Sequence, residues 1–262
     1  MDKENINYLY TWFDYYVSSF SSKDPLVVQN LKVKADHTKR VCNIMKELSS
    51  SLNLTENQQL LSEAIALLHD VGRFQQFVTY KTYSDFKSIN HAELGLTVLE
   101  EEDLLGFLSL KEKEYLYAAI KYHNAKCIPD TIDPETFLYC ALIRDADKLD
   151  IFYVISSYEK DKATSPNAAL DELPKEQTCS KDIYNALMKK ERVDYEMIRN
   201  SYDRRLLELG WVLDFNFNFT FKYYMEKNYL DIFYSFLPKT YELDLLYKKL
   251  FKFIEEKLSS LN

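Results

Sequence analysis

Four glycines and six prolines in 262 residues leave this chain few places to turn. A many-stranded sandwich needs a turn every 8–12 residues or so, and a dinucleotide fold needs a glycine-lined phosphate loop. Neither is affordable here, and the composition predicts long helices joined by short connections. The chain carries 33 basic and 41 acidic side chains, a formal charge of −8, with 47% hydrophobic residues. That is a globular composition with ample material for a core. The acidic balance, with no Lys/Arg run longer than two, argues against a protein that grips duplex nucleic acid. Met1–Tyr10 does not read as a signal peptide, and no apolar run is long enough to span a bilayer, so a cytoplasmic location and no membrane partner are expected. Cys42, Cys127, Cys140 and Cys179 are widely spaced, which predicts reduced and mostly buried thiols.

Helical spacing runs through the first 160 residues. Val33, Val41, Ile44, Met45, Leu48 and Leu52 mark a helix over about 25–53. Thr55 and Gln58 have capping-box spacing and open a second helix through Leu61, Ile65 and Leu68 to about Gly72. Residues 73–90 are aromatic and polar without a period and read as a long loop. His91 opens another helix, and about Lys111–Tyr122 forms a fourth. Asp133-Pro134 supplies a cap and a first-turn proline for a helix that runs past Asp150. Residues 161–180 read as a loop or insertion, and two helices are expected near 181–209. Phe215, Phe217, Phe219 and Phe221 alternate as in a strand, although an aromatic helical segment fits equally. More helix is expected to the C-terminus. The expected organisation is one all-α domain over 1–262, with a core of about 25–160 and helical elaboration over about 161–262.

The chain has only four histidines, His37, His69, His91 and His123, one in each of four successive helical segments. Each falls on the apolar stripe of its helix: His37 four residues before Val41, His69 four after Ile65, His91 ahead of Leu94 and Val98, His123 four after Ala119. One inward histidine is usually a hydrogen-bonded structural residue, but four of four, with Asp70 directly after His69, point to a metal centre. A carboxylate at the end of a buried apolar face needs compensation, and a cation supplies it. Imidazole and carboxylate without thiolate suit a borderline-to-hard ion such as Mn, Fe, Zn or Mg. In the run Arg144-Asp145-Ala146-Asp147-Lys148-Leu149-Asp150, Asp147 shares the stripe of Cys140 and Ile143. Asp145 is rotated from it by about 200 degrees, so Asp147 is the better ligand candidate.

These blocks together resemble the HD-domain superfamily of metal-dependent phosphohydrolases, in a bacterial branch. The signature of a histidine, a distant His-Asp pair and a further aspartate matches His37, His69-Asp70 and Asp147. Flanking blocks match at His37–Val41, Leu68–Phe74, Asn90–Gly95, His123-Asn124 and Arg144–Asp150. The resemblance implies an all-α helical bundle with additional C-terminal helices. It implies a divalent ion, Mn, Fe, Mg, Zn, Co or Ni, one or two per chain. His37, His69, Asp70 and Asp147 would bind the first. His91 and His123 would complete a second site or, with Asn124, bind substrate phosphate.

The expected reaction is hydrolysis of a phosphate ester of a nucleotide or another small phosphorylated metabolite. Asp70 would orient or deprotonate water. Lys148, Arg40 and Arg73 would contact phosphate oxygens, a role suited to guanidinium groups, or else Arg40 and Lys148 pair with Asp36, Asp145 or Asp150. The aromatic residues Phe74, Phe77, Tyr80, Tyr83 and Phe86 either cover the site or belong to the core. Two rival readings are an HD-fold di-iron oxygenase and a non-catalytic nucleotide-binding sensor. Twenty-one Tyr and 16 Phe also leave room for an aromatic oligomer interface.

Overall fold

A computed structural model describes residues 1–20, 22–160, 173–174 and 178–260, the side chains of 159 and 160 excepted. Among the described residues the fold is all-α, with helices and short 3-10 turns and no strand. Contacts divide the chain into two compact units, one holding Met1–Ile151 and the other Phe152 and the described residues beyond it. Most of the segment expected to be a loop or insertion, residues 161–172 and 175–177, lies outside the described residues.

The first unit opens with α1 (Lys3–Ser19), capped by the Asp2 side chain on the Asn5 amide. Sequence reading passed over this helix, although Ile6, Leu9, Phe13 and Tyr16 bury one face at three- and four-residue steps. Asp24 caps α2 (Pro25–Ser51), whose first residue is the proline. The capping box of Thr55 and Gln58 is fully formed at the start of α3 (Glu56–Leu68). Removing it by Thr55→Ala is expected to cost about 1 kcal/mol, read as a shifted denaturant midpoint with an unchanged slope.

The chain between 69 and 90 departs from expectation. The third helix ends at Leu68 rather than near Gly72. Three turn residues follow, and Gly72 begins α4 (Gly72–Tyr80) where a loop was expected. Aromatic content hid the helix, because Phe74 and Phe77 are wholly buried at a three-residue step while Arg73 before them and Gln75 and Gln76 between them break the apolar pattern. Lys81 terminates it in the left-handed region at φ 56°. A 3-10 turn (Asp85–Lys87) interrupts the shorter connection to α5 (His91–Glu101). A second capping box, Ser109 with Glu112, starts α6 (Leu110–His123), and α7 (Pro134–Lys160) follows. Within this unit α2 packs on α3 and α4, α3 on α1 and α6, and α5 on α4 and α6.

The second unit contains α8 (Lys181–Met188), α9 (Ser201–Gly210), α10 (Asn218–Glu226), α11 (Tyr229–Ser235) and α12 (Tyr241–Ser260). The alternating phenylalanines form no strand. Phe215 and Phe217 are extended residues leading into α10, which contains Phe219 and Phe221. Buried Phe152 organises this unit, with the rings of Phe233, Tyr224, Tyr229 and Trp211 centred 4.8, 4.9, 5.6 and 5.7 Å away. Such packing satisfies edge and face preferences of aromatic rings without any strand pairing. The four cysteines are unbonded, but only Cys42 and Cys140 are buried, while Cys127 is exposed and Cys179 is half-buried. No helix among the described residues is long and apolar enough to cross a membrane.

Candidate metal centre

All four histidines are buried, as their helical register predicts, and each is delivered by a different helix or helix end. His37 lies inside α2, His69 caps α3, His91 begins α5 and His123 closes α6. The Nδ1 atom of each has an acceptor. His69 Nδ1 donates to Ala66 O and His123 Nδ1 to Ile120 O, both at 2.7 Å, the three-residue step that a helix end allows. His37 Nδ1 meets Asp150 Oδ2 at 2.6 Å, and His91 Nδ1 meets Asp85 Oδ2 at 2.7 Å. Carbonyl and carboxylate oxygens only accept, so the proton of each ring sits on Nδ1 and Nε2 is turned to one common space.

Asp70 occupies the middle of that space with its two oxygens facing different histidine pairs. Its Oδ2 lies 3.4 Å from His69 Nε2 and 3.5 Å from His37 Nε2. Its Oδ1 lies 3.3 Å from His91 Nε2 and 3.8 Å from His123 Nε2. Asp147, 16% exposed, brings Oδ1 to 3.1 Å from His37 Nε2 and 3.8 Å from His69 Nε2. Donors sharing one ion at about 2.1 Å stand roughly 3–3.5 Å apart, so these spacings suit coordination.

Hydrogen bonding supports the same fit. His37 Nε2, His69 Nε2 and Asp70 Oδ1 are buried and have no hydrogen-bond partner. Leaving each such atom unsatisfied costs about 1–3 kcal/mol. His91 Nε2 and His123 Nε2 stand 2.9 Å apart, and with both protons on Nδ1 two lone pairs face each other. A cation near these atoms would remove both penalties. Three overlapping groups have ligand atoms within 4.8 Å of one another: His37, His69 and Asp70; His69, His123 and Asp147; Asp70, His91 and His123.

Electrostatics separates the histidines. Burial and the Lys34 ammonium oppose charge on His37, but the nearby carboxylates of Asp147, Asp150 and Asp70 outweigh them and raise its pKa to about 10 while no cation is bound; a cation bound at Nε2 displaces that proton. Burial, then Arg73, lowers His91 to about 4, and burial, then His91 and His69, lowers His123 to about 3. His91 and His123 are therefore neutral at neutral pH, the state that a metal ligand requires. Burial resists ionisation of Asp70, yet Lys34 and His69 hold its carboxyl well below the usual carboxylate range.

The proposed phosphate contacts have partners in place. Arg40 grips Asp150 through Nε at 2.6 Å and Nη2 at 3.0 Å, one of the pairings foreseen from sequence. Arg73 Nη1 reaches Asp85 Oδ1 at 2.9 Å, and its Nε is 3.5 Å from Asp70 Oδ1. Lys148 is buried on α7. Asn124 donates to Asp85 Oδ2 at 3.0 Å beside His91. Asp145 is wholly buried and belongs to none of the His/Asp groups whose ligand atoms converge.

Sequence reading overlooked three residues. Lys34, one turn before His37 on the same helix, places Nζ 2.5 Å from Asp70 Oδ2. The three-residue step before His37 could have revealed it. Arg144 caps the end of α6 by donating to the carbonyls of Tyr122 and Ala125, at 2.8 and 2.5 Å, next to His123. Asp85 comes from an aperiodic connection and left no sequence signal.

Residues 35–151 match the family model described as HD domain, and this stretch of the protein is an HD domain. It contains all six candidate ligands. HD domains are commonly metal-dependent phosphohydrolases, which agrees with the His/Asp donor set. No curated protein and no solved structure matches the chain.

Proposed function

We propose that this protein is a metal-dependent phosphohydrolase, a phosphomonoesterase or phosphodiesterase acting on a nucleotide or another small phosphorylated metabolite. The observation that carries the reading is the convergence of buried, unsatisfied His37 Nε2, His69 Nε2 and Asp70 Oδ1 on one space. His37, His69, Asp70 and Asp147 would hold one divalent ion, and His91 and His123 with Asp70 Oδ1 would hold a second. Such an ion polarises a phosphoryl oxygen and brings the pKa of bound water toward neutrality.

Charge supports an anionic substrate. Asp70, Asp85 and Asp150 are already paired with Lys34, Arg73 and Arg40, while Asp147 has histidines beside it. One divalent ion therefore turns the centre positive, and a second adds to that charge. Arg40 and Arg73 keep their charge while paired and, with Lys148, draw phosphate oxygens toward the ligands. Asp70, ionised and central, would orient the attacking water or accept its proton while also binding metal. To bind phosphate with Asn124 in place of a second ion, His91 and His123 would each have to take a proton on Nε2, which burial opposes, and this favours the second ion.

The test is phosphate release from a panel of nucleotides and other phosphoesters with Mn²⁺, Mg²⁺, Co²⁺ or Fe²⁺ supplied, together with metal analysis. Release that a chelator abolishes and added metal restores is the expected result. The six-donor set also suits a di-iron oxygenase, and two tightly held irons without phosphate release would replace the proposal by that reaction. Bound nucleotide without turnover would identify a sensor.

A further inference from the structure

Asp85 lies between α4 and α5, outside the six candidate ligands, yet three helices converge on its carboxylate. It accepts from His91 Nδ1 at 2.7 Å, Arg73 Nη1 and Gln76 Nε2 at 2.9 Å, and Asn124 Nδ2 at 3.0 Å. Gln76, fully buried on α4, also donates to Ser88 Oγ and Ile89 O at 2.9 Å, and Ser88 Oγ donates to Ser84 O at 2.8 Å. The turn carrying Asp85 is thus fastened on both sides of the carboxylate.

His123 takes its orientation from a main-chain carbonyl, which no substitution at that position removes. His91 takes its orientation from a side chain. We infer that Asp85 is the positioning residue for the second ion, fixing the proton of His91 on Nδ1 and aiming Nε2 at Asp70 Oδ1 and His123 Nε2. Its negative charge also strengthens the imidazole as a donor. This rests on the metal reading above and adds that occupancy of the two sites is separable at a residue that touches neither ion.

The experiment is a Co²⁺ titration of the full-length protein and its variants, followed by visible absorption and by metal content after gel filtration. Wild type is expected to take two ions. Asp85→Asn is expected to keep the first with unchanged affinity and to bind the second about 10–100-fold more weakly, the range typical of lost carboxylate support behind a histidine ligand. His91→Gln supplies the reference titration for a protein with only the first site. Should circular dichroism show Asp85→Asn unfolded, Asp85→Glu decides, because its displaced carboxylate still weakens the second ion and spares the first. Wild-type affinity for both ions in the folded variant overturns the inference. A wild type that takes one ion overturns it while leaving the first-site reading intact, and a wild type that takes none overturns the metal reading itself.

Discussion

Asp70→Asn is expected to give a folded protein that loses one ion, holds the other more weakly and releases phosphate at about a thousandth of the wild-type rate or less. The size follows from the several kcal/mol that metal-ion catalysis supplies, with each 1.36 kcal/mol worth a factor of ten. Geometry explains why one carboxylate would control both proposed sites: Oδ2 faces His37 and His69, while Oδ1 faces His91 and His123. An amide of the same shape can present an oxygen to only one pair. Its NH₂ then donates to the lone pairs of the other pair and closes that site. The Lys34 ammonium also loses its partner, at less than the full cost of an orphaned buried charge because the side chain is 18% exposed and can turn toward water. Metal analysis and single-turnover phosphate release on the same preparation measure both effects, with Asp70→Ala as a second variant. Full phosphatase activity in either variant would eliminate the mechanism.

Gly72→Ala is expected to lower the unfolding midpoint by about 6–12 °C and to weaken the second ion. A Cβ on Gly72 would stand 2.2 Å from His91 O and 2.6 Å from Gly95 N. Both obstacles are backbone atoms, so no side chain can swing away, and α4 and α5 must separate. Overpacking of this kind costs about 3 kcal/mol, and for a chain of this size each kcal/mol moves the midpoint by roughly 2–4 °C. The displaced carbonyl belongs to His91 itself, so the strain reaches the ring that faces Asp70 Oδ1. Gly106 has nothing within 4 Å of an added Cβ, and Gly106→Ala is the control expected to leave the midpoint nearly unchanged. Equal midpoints for the two variants would refute the close-crossing argument.

Much of the site was legible because helical register links sequence to direction. His37, His91 and His123 could be assigned inward faces from their apolar neighbours, and all are buried. The same register placed Asp147 beside His37. It failed where periodicity was absent or disguised. The polar residues among the buried rings of α4 concealed a helix, and strict phenylalanine alternation imitated a strand at the entrance to α10. Asp85 was invisible because its value lies in contacts to Arg73, Gln76, His91 and Asn124, on elements that only packing brings together.

The sequence by itself determined the all-α class, the Thr55 capping box and the inward, buried placement of the four histidines, candidate donors with Asp70 and Asp147, because local spacing specifies which face of a helix a side chain occupies. Only the tertiary structure decided how those faces meet: the division of Asp70 between two histidine pairs, the Lys34 and Asp85 contacts, and the engagement of Arg40 and Arg73 with carboxylates. Those are distances between elements, and they depend on how closely two backbones can approach, as at Gly72 and Gly95, which no periodicity within one helix encodes.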